Sequence, residues 1–297
     1  MDFAALAVFR TVAKEQSITR AAERLGRVPS NVTTRIQQIE EELGVPLFLR
    51  ERKGMTLTDA GRTYLDYADR ILNLADEAVQ VVNPAGPAGV LRIGSMECTV
   101  ASRLPVALAN FNKQWPDVTI DLSTGPTRHL IDALFAHRID CALIAVPSGE
   151  WWLGPHELDK VPVFREDLVL VLPPGHREVR HAEDIQPKSL AAFGPGCTYR
   201  MLAEEWLTGF GTTKGRFAVQ EVRSYHAMFA CTAAGSCFSI MPRTVLDLMR
   251  HTGEVEEKAL MRVDTYLACR PGFSTPAFVE LRKTLAGYSD IKDSLDA

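Results

Sequence analysis

Apolar residues Phe3, Leu6, Phe9, Val12 and Ala13 recur at helical spacing, which predicts a first helix over about 3–13. A shorter one follows, capped by Ser17, with Ile18, Ala21, Ala22 and Leu25 on one face and Gly26 at its end. Val32, Ile36, Ile39 and Leu43 mark a third, which buries one side and turns Ser30, Asn31, Thr33, Thr34, Arg35 and Gln37 outward. These exposed side chains are mostly short donors and acceptors, the kind that reach base edges and phosphates from a helix in a DNA groove. Leu47 to Leu57 then alternates briefly around Gly54, as a strand hairpin does, with Arg50, Arg52 and Lys53 at its tip.

Thr58 or Asp59 caps a long helix over about 60–82, where Leu65, Ala68, Leu72, Ala75, Val79 and Val82 follow a heptad pattern. That pattern predicts a dimerisation seam; packing on the helix's own domain is the alternative. The Pro- and Gly-rich run Asn83 to Gly89 reads as a linker. Beyond it the pattern becomes strand–helix alternation: VLRIGS, a helix over 102–114, VTIDLSTG, a helix over 127–137, CALIAV. Such a rhythm predicts a parallel sheet flanked by helices. A second series carries strands LVLVLP, SLAAF, AVQEV and SIMP with helices over 199–208, 225–234 and 244–249. The segment YLACR, with a helix over 275–288, returns to the first lobe.

The N-terminal residues Ser17, Ala21, Ala22, Leu25, Ile36, Ile39, Glu40, Leu43, Gly44, Pro46, Leu47, Phe48, Arg50, Leu57, Thr58, Ala60 and Gly61 resemble the signature of LysR-type transcriptional regulators. The family usually opens its recognition helix with a Ser-Gln-Pro-like run, where this chain has Val28, Pro29, Ser30 and Asn31. Pro29 suits a first helical turn and Ser30 is an alternative cap. The resemblance implies an α+β multidomain chain: a winged helix-turn-helix over 1–58, a dimerisation linker helix over 59–83, a hinge at 84–89, and over 90–297 an α/β, two-lobed, periplasmic-binding-protein-like effector domain. Lobe I covers about 90–162 and 267–297, lobe II about 163–266. Double-stranded promoter DNA, a small-molecule effector, a homodimer through residues 60–82 and a dimer of dimers are the implied partners.

The chain has 297 residues, 46% of them hydrophobic and 24% charged, which suits a globular protein of two or three domains. A formal net charge of -4 argues against a general nucleic-acid coat, yet residues 1–58 carry nine Lys and Arg against seven acids. No apolar run approaches membrane-helix length and no signal-like N-terminus is visible, so a cytoplasmic protein with no membrane partner is expected. The six cysteines form no C-x-x-C, and no metal or cofactor is expected.

Ligands of open α/β sheets bind at strand carboxyl ends. Three such corners are candidates for the effector: Ser95, Met96, Glu97 and Thr99; Thr124, Gly125 and Thr127; and Cys197 with Thr198. Each Ser or Thr could instead be only a helix cap. Glu97 points to a cationic or hydroxyl-bearing effector, unless it faces solvent or pairs with Arg103. Cys197 sits where a peroxide-sensing branch of the family carries its reactive thiol, so a redox-sensing regulator is an alternative. The resolving cysteine of that branch is replaced by the stretch Glu205, Trp206, Leu207. No G-x-S-x-G, Walker, H-E-x-x-H or G-x-G-x-x-G motif occurs, so no catalytic residue is assigned, although a binding-protein-like enzyme with an accessory DNA-binding domain is a further alternative. His176 and His181 read as solvated surface, Trp151 and Trp152 as packing.

Overall fold

The computed structural model describes residues 2–51, 54–82, 86–146, 157–209, 217–249 and 253–291, the side chains of Arg50 and Glu51 excepted. Two compact units emerge: residues 1–83 with 136–138, and residues 84–135 with 139–297.

In the first unit, helix α1 (Phe3–Glu15) begins where the Asp2 carboxylate accepts the N–H of Ala5 at 2.7 Å. Helix α2 (Ile18–Leu25) begins where Ser17 Oγ accepts from the N–H of Arg20, and it stops at Gly26, φ +61°. Helix α3 (Pro29–Leu43) starts without a side-chain cap. Val28 occupies the capping position and Pro29 enters the first turn, where its missing N–H costs nothing, so Ser30 is an exposed helical residue and not the cap expected of it. Phe9 lies at the centre of the core, fully buried, with the rings of Phe48 and Tyr64 at 5.3 and 4.9 Å.

Strands β1 (Phe48–Glu51) and β2 (Gly54–Leu57) pair antiparallel, Phe48 opposite Leu57. Glu40 ties this hairpin to α3: its Oε1 accepts the N–H groups of Leu47 and Phe48 at 2.7 and 3.1 Å. Gly54 has φ +149°, and a Cβ there would lie 2.9 Å from the Gln16 carbonyl, which accepts the Met55 N–H. The hairpin is thus anchored to both α1 and α3.

Helix α4 (Asp59–Val82) is capped by Thr58, whose Oγ1 accepts the N–H of Gly61 at 2.9 Å. The expected heptad seam is corrected here. Ala68 and Leu72 are buried in the core of their own unit, and Leu65 packs against it. Burial on α1 satisfies that face first, leaving Tyr67, Ile71, Leu74 and Val81 as the exposed apolar positions, with Val79 and Val82 the exposed remnant of the expected seam.

The second unit contains strands β3 (Gly89–Ser95), β4 (Val118–Thr124), β5 (Cys141–Ala145), β6 (Asp159–Leu172), β7 (Ser189–Ala192), β8 (Ala218–Glu221), β9 (Phe238–Pro242) and β10 (Glu256–Cys269). They form one sheet in the order β4-β3-β5-β10-β6-β9-β7-β8. The pairs β3–β4, β3–β5, β7–β8 and β7–β9 are parallel, as the alternation predicts. Strands β6 and β10 make the whole sheet mixed: each is 14 residues long, and they pair antiparallel from Asp159–Cys269 to Leu172–Glu256. These are the crossing strands that join the two halves, and they run well beyond LVLVLP and YLACR.

Helices α5 (Glu97–Ser102), α6 (Leu104–Gln114), α7 (Thr127–Phe135), α8 (Thr198–Thr208), α9 (Tyr225–Ala233), α10 (Arg243–Met249) and α11 (Pro276–Ala286) complete the unit. The helix expected over 102–114 is α6, and a further short helix, α5, precedes it. Pro105, in the first turn of α6, has no N–H to continue an α5 ladder, and the chain breaks at Arg103.

Gly61 gives the N-terminal unit its tightest helix–hairpin approach, since a Cβ there would fall 2.1 Å from the Leu47 carbonyl oxygen. Gly61→Ala is expected to destabilise this unit by at least ~2 kcal/mol, the upper part of the range for overpacking. Its urea midpoint measures the effect, and an unchanged midpoint would contradict the packing.

Candidate nucleic-acid face and effector cleft

Along α3, Val32, Ile36 and Ile39 are buried while Ser30, Asn31, Thr34 and Gln37 are exposed. Ser30, Thr34 and Gln37 recur at four- and three-residue steps and so share one face, opposite the core. Thr33 and Arg35 flank this face and are half-buried. The Thr33 hydroxyl donates to the Pro29 carbonyl at 3.0 Å. Arg35 is paired with Asp2, and its Nη1 donates to Gln38 Oε1 at 3.2 Å. The carboxylate holding Arg35 therefore comes from the start of the chain rather than from a Glu on a neighbouring turn, and its hydrogen bond keeps Asp2 below its ordinary carboxyl pKa. Arg52, Lys53 and the Arg50 side chain lie outside the described residues, as do Trp151 and Trp152.

In the second unit, the carboxyl ends of β3, β4, β7 and β8 open on a cleft of about 830 Å³. Six of the nine expected effector residues line it: Met96, Glu97, Thr124, Gly125, Thr127 and Cys197. The other three do not, because they are spent on the frame. Ser95 is fully buried and donates to the Met96 carbonyl at 3.1 Å. Thr99 is buried with its hydroxyl 3.7 Å from Cys98 Sγ. Thr198, also buried, donates from Oγ1 to Thr127 Oγ1 at 2.9 Å and lies 3.1 Å from the Ala145 carbonyl. That bond, with the Arg128 N–H donating to the Gly196 carbonyl at 3.2 Å, stitches two corners together.

Pro126, His129, Phe193, Tyr199, Glu221, Arg223 and Tyr225 also line the cleft. Glu221, Arg223 and Tyr225 come from the β8–α9 corner. The strand AVQEV and the helix after it are both readable in sequence, so the strand-end rule applied a fourth time would have found this corner. Phe193 and Tyr225 meet edge-to-face with centroids 4.9 Å apart.

Burial pushes the Glu97 carboxyl above its ordinary pKa, an effect that the Tyr225 N–H and the nearby His226 partly offset. Arg103 does not pair with it. Arg103 Nε donates to Glu166 Oε1 at 2.7 Å, and its Nη2 lies 3.1 Å from Asp290 Oδ2. Cys197 lacks the activated thiol that the redox alternative needs: burial raises its pKa, outweighing the N–H groups of Arg200 and Tyr199. Burial pushes Cys98 up to about 12.

A raised carboxyl pKa means that the folded state favours the protonated form, so the strain is absent below the ordinary carboxyl pKa and grows as pH rises through the raised value. Glu97→Gln is therefore expected to raise the melting temperature of the second unit at neutral pH, with the gain vanishing at about pH 4. Scanning calorimetry at both pH values checks this; an equal gain at both would exclude the titration.

The family model described as a bacterial regulatory helix-turn-helix protein of the lysR family matches residues 3–62, and that of the LysR substrate binding domain matches 84–289. The chain is 38% identical to the uncharacterized HTH-type transcriptional regulator YusT of Bacillus subtilis, over 98% of this chain and 97% of the relative. It is 32% identical to the HTH-type transcriptional regulator GltR of the same organism, over 96% and 92%. Solved structures with the same fold include full-length CbnR complexed with its target DNA, with TM-score 0.66 and 23% identity over 97% of this chain and 100% of that one. A full-length OxyR variant from Pseudomonas aeruginosa aligns with TM-score 0.71 and 21% identity over 100% and 98%. The exposed face of α3 and the cleft at the strand ends thus fall in the two matched regions, and the relatives are regulators rather than enzymes: the chain belongs to the LysR family, a DNA-binding transcriptional regulator with an effector-binding domain.

Proposed function

We propose that Ser30, Asn31, Thr34 and Gln37 read bases in the major groove, that Thr33 and Arg35 brace the helix against the backbone, and that Arg50, Arg52 and Lys53 of the wing hold phosphates. The observation that carries this is the exposure of Ser30, Thr34 and Gln37 on one face, opposite the buried Val32, Ile36 and Ile39. The tie from Glu40 to Leu47 and Phe48 supports it, since it fixes the wing relative to the reading helix. Thr34→Ala or Gln37→Ala is expected to relax preference at one base position by ~1–3 kcal/mol. Arg50→Ala should weaken all sequences alike and flatten the salt dependence by about one unit of slope. Competition binding at two salt concentrations separates the two, and uniform loss in the Thr34 and Gln37 variants would remove their reading role.

The effector, in this proposal, lies in the 830 Å³ cleft against Met96, Glu97, Thr124, Gly125, Thr127 and Cys197, while Ser95, Thr99 and Thr198 hold the walls. Only an effector with different affinity for two arrangements of the domain can shift their balance. Residues 1–58, 59–83, 84–89 and 90–297 serve as reader, linker helix, hinge and sensor. The protein works in the cytoplasm, where promoter DNA is; no helix among the described residues is long and apolar enough to cross a membrane.

The homodimer forms through α4, along the exposed positions Tyr67, Ile71, Leu74, Ala78 and Val81. Their four–three–four–three spacing is the heptad that a two-helix seam requires, displaced from the one that pattern alone selects. A second interface, giving a dimer of dimers, belongs to the same proposal. Leu74→Asp is expected to weaken dimerisation at least about a hundredfold, from the ~3 kcal/mol cost of placing a carboxylate in an apolar seam, while the fold is kept. Sedimentation equilibrium measures this, and an unchanged assembly would rule the stripe out.

A further inference from the structure

Glu97 heads α5 on the cleft wall, and its Oε2 is buried with no hydrogen-bond partner among the described residues. A buried carboxylate oxygen left without a donor is costly, so in the folded protein a water, an ion or a ligand completes it. The neighbouring cations are engaged elsewhere or lie at the rim. Arg103 is held by Glu166 and Asp290, and Arg200 by Glu204 and Glu221. Arg223 and His129 line the cleft but are exposed, where water and salt screen their charge. His226 acts on Glu97 through space and is itself exposed.

Two further features mark what would satisfy this oxygen. The Tyr225 N–H lies close enough to the same carboxyl to oppose its raised pKa, and the edge-to-face pair of Phe193 and Tyr225 lines the same cleft. A carboxylate next to aromatic faces attracts a cation by ion pairing and by the ring quadrupoles together. Met96, Pro126 and Pro195 add apolar surface to the same cleft.

Resting on the effector reading above, we propose that the effector is an amine: a protonated amino group donates to Glu97 Oε2 while an apolar or aromatic body packs against Met96, Phe193 and Tyr225. An anionic effector would bring a second negative charge to an already desolvated carboxylate.

The test uses the full chain and three probes of nearly one shape, 2-phenylethylamine, 2-phenylethanol and phenylacetate, titrated by calorimetry. The amine is expected to bind at least tenfold more tightly than the alcohol or the carboxylate. Glu97→Gln should abolish that preference. Gly125→Phe should abolish binding, because a Cβ at Gly125 meets nothing closer than 3.6 Å and the ring can enter the cleft without displacing backbone; circular dichroism confirms that both variants fold. The proposal is overturned if the alcohol or carboxylate binds as well as the amine, if Glu97→Gln keeps the preference, or if none of the three binds. Binding of the alcohol or carboxylate that Gly125→Phe removes would sink the amine while leaving the effector cleft in place.

Discussion

The antiparallel pairing of β6 with β10 is the constraint on which the effector domain depends. Fourteen residues of each strand pair end to end, with two register shifts, between Ala259 and Met261 and between Thr265 and Tyr266. On one side β10 continues into β5 and the β3–β4 pair; on the other, β6 continues into β9 and the β7–β8 pair. Each outer group is short and parallel, and parallel strands are found almost only in sheets with both faces covered. The long pair supplies an edge to both groups, and their carboxyl ends open on the same cleft. Four strand ends from two halves can then share one cavity, which no single βαβ unit could build.

The N-terminal unit solves a smaller version of the same problem. A three-helix core presents a helix, but a hairpin of two four-residue strands has too little surface to hold its own place. Glu40 and the Gln16 carbonyl fix it from two sides, and Phe48 buries its ring against Phe9. Glu40 is thus an acid that reads in sequence only as a member of the N-terminal signature, while in the fold it satisfies two backbone donors. Gly61 is similar: nothing in its neighbours says why it lacks a side chain until the Leu47 carbonyl is seen across from it.

Much was legible beforehand because the signals were local. Ser17 and Gly26 bound α2, Thr58 caps α4, and the alternation after residue 89 gives the parallel strands in place. The illegible parts are those decided by contacts distant in sequence. Strands β6 and β10 read as short because their outer halves carry Asp159, Lys160, Arg165, Glu166 and Asp167, and Glu256, Glu257 and Lys258, which pairing and cross-strand ions satisfy but periodicity ignores. On α4, two apolar stripes lie close together on one helix, and the pattern cannot say which one the domain keeps for itself. At the cleft, a Ser or Thr after a strand looks the same whether its hydroxyl faces a ligand or a carbonyl; Ser95, Thr99 and Thr198 proved to face the frame.

Two carboxylates at opposite ends of α5 show how such cases are separated. Beyond its C-terminal end, Arg103 reaches Glu166 on β6, which is 1% exposed, and both oxygens of Glu166 are taken: Oε1 by Arg103 Nε at 2.7 Å and Oε2 by the Thr244 hydroxyl on α10 at 2.7 Å. Arg103 also donates to the Arg165 carbonyl at 2.9 Å and stacks over Phe164, so this end of α5 is fastened to the crossing strands. A buried charge so fully matched would be costly to disturb, which suits a structural element. At the other end, Glu97 is less buried, yet one of its oxygens has no donor and burial opposes its charge. The same short helix therefore carries an unsatisfied acid at its cleft end and is fastened, through Arg103, to a satisfied one on β6 at the other. In the proposed reading, what completes Glu97 is held by a segment rooted in Glu166, which gives occupancy of the cleft a physical route to the strands joining the two halves of the sheet.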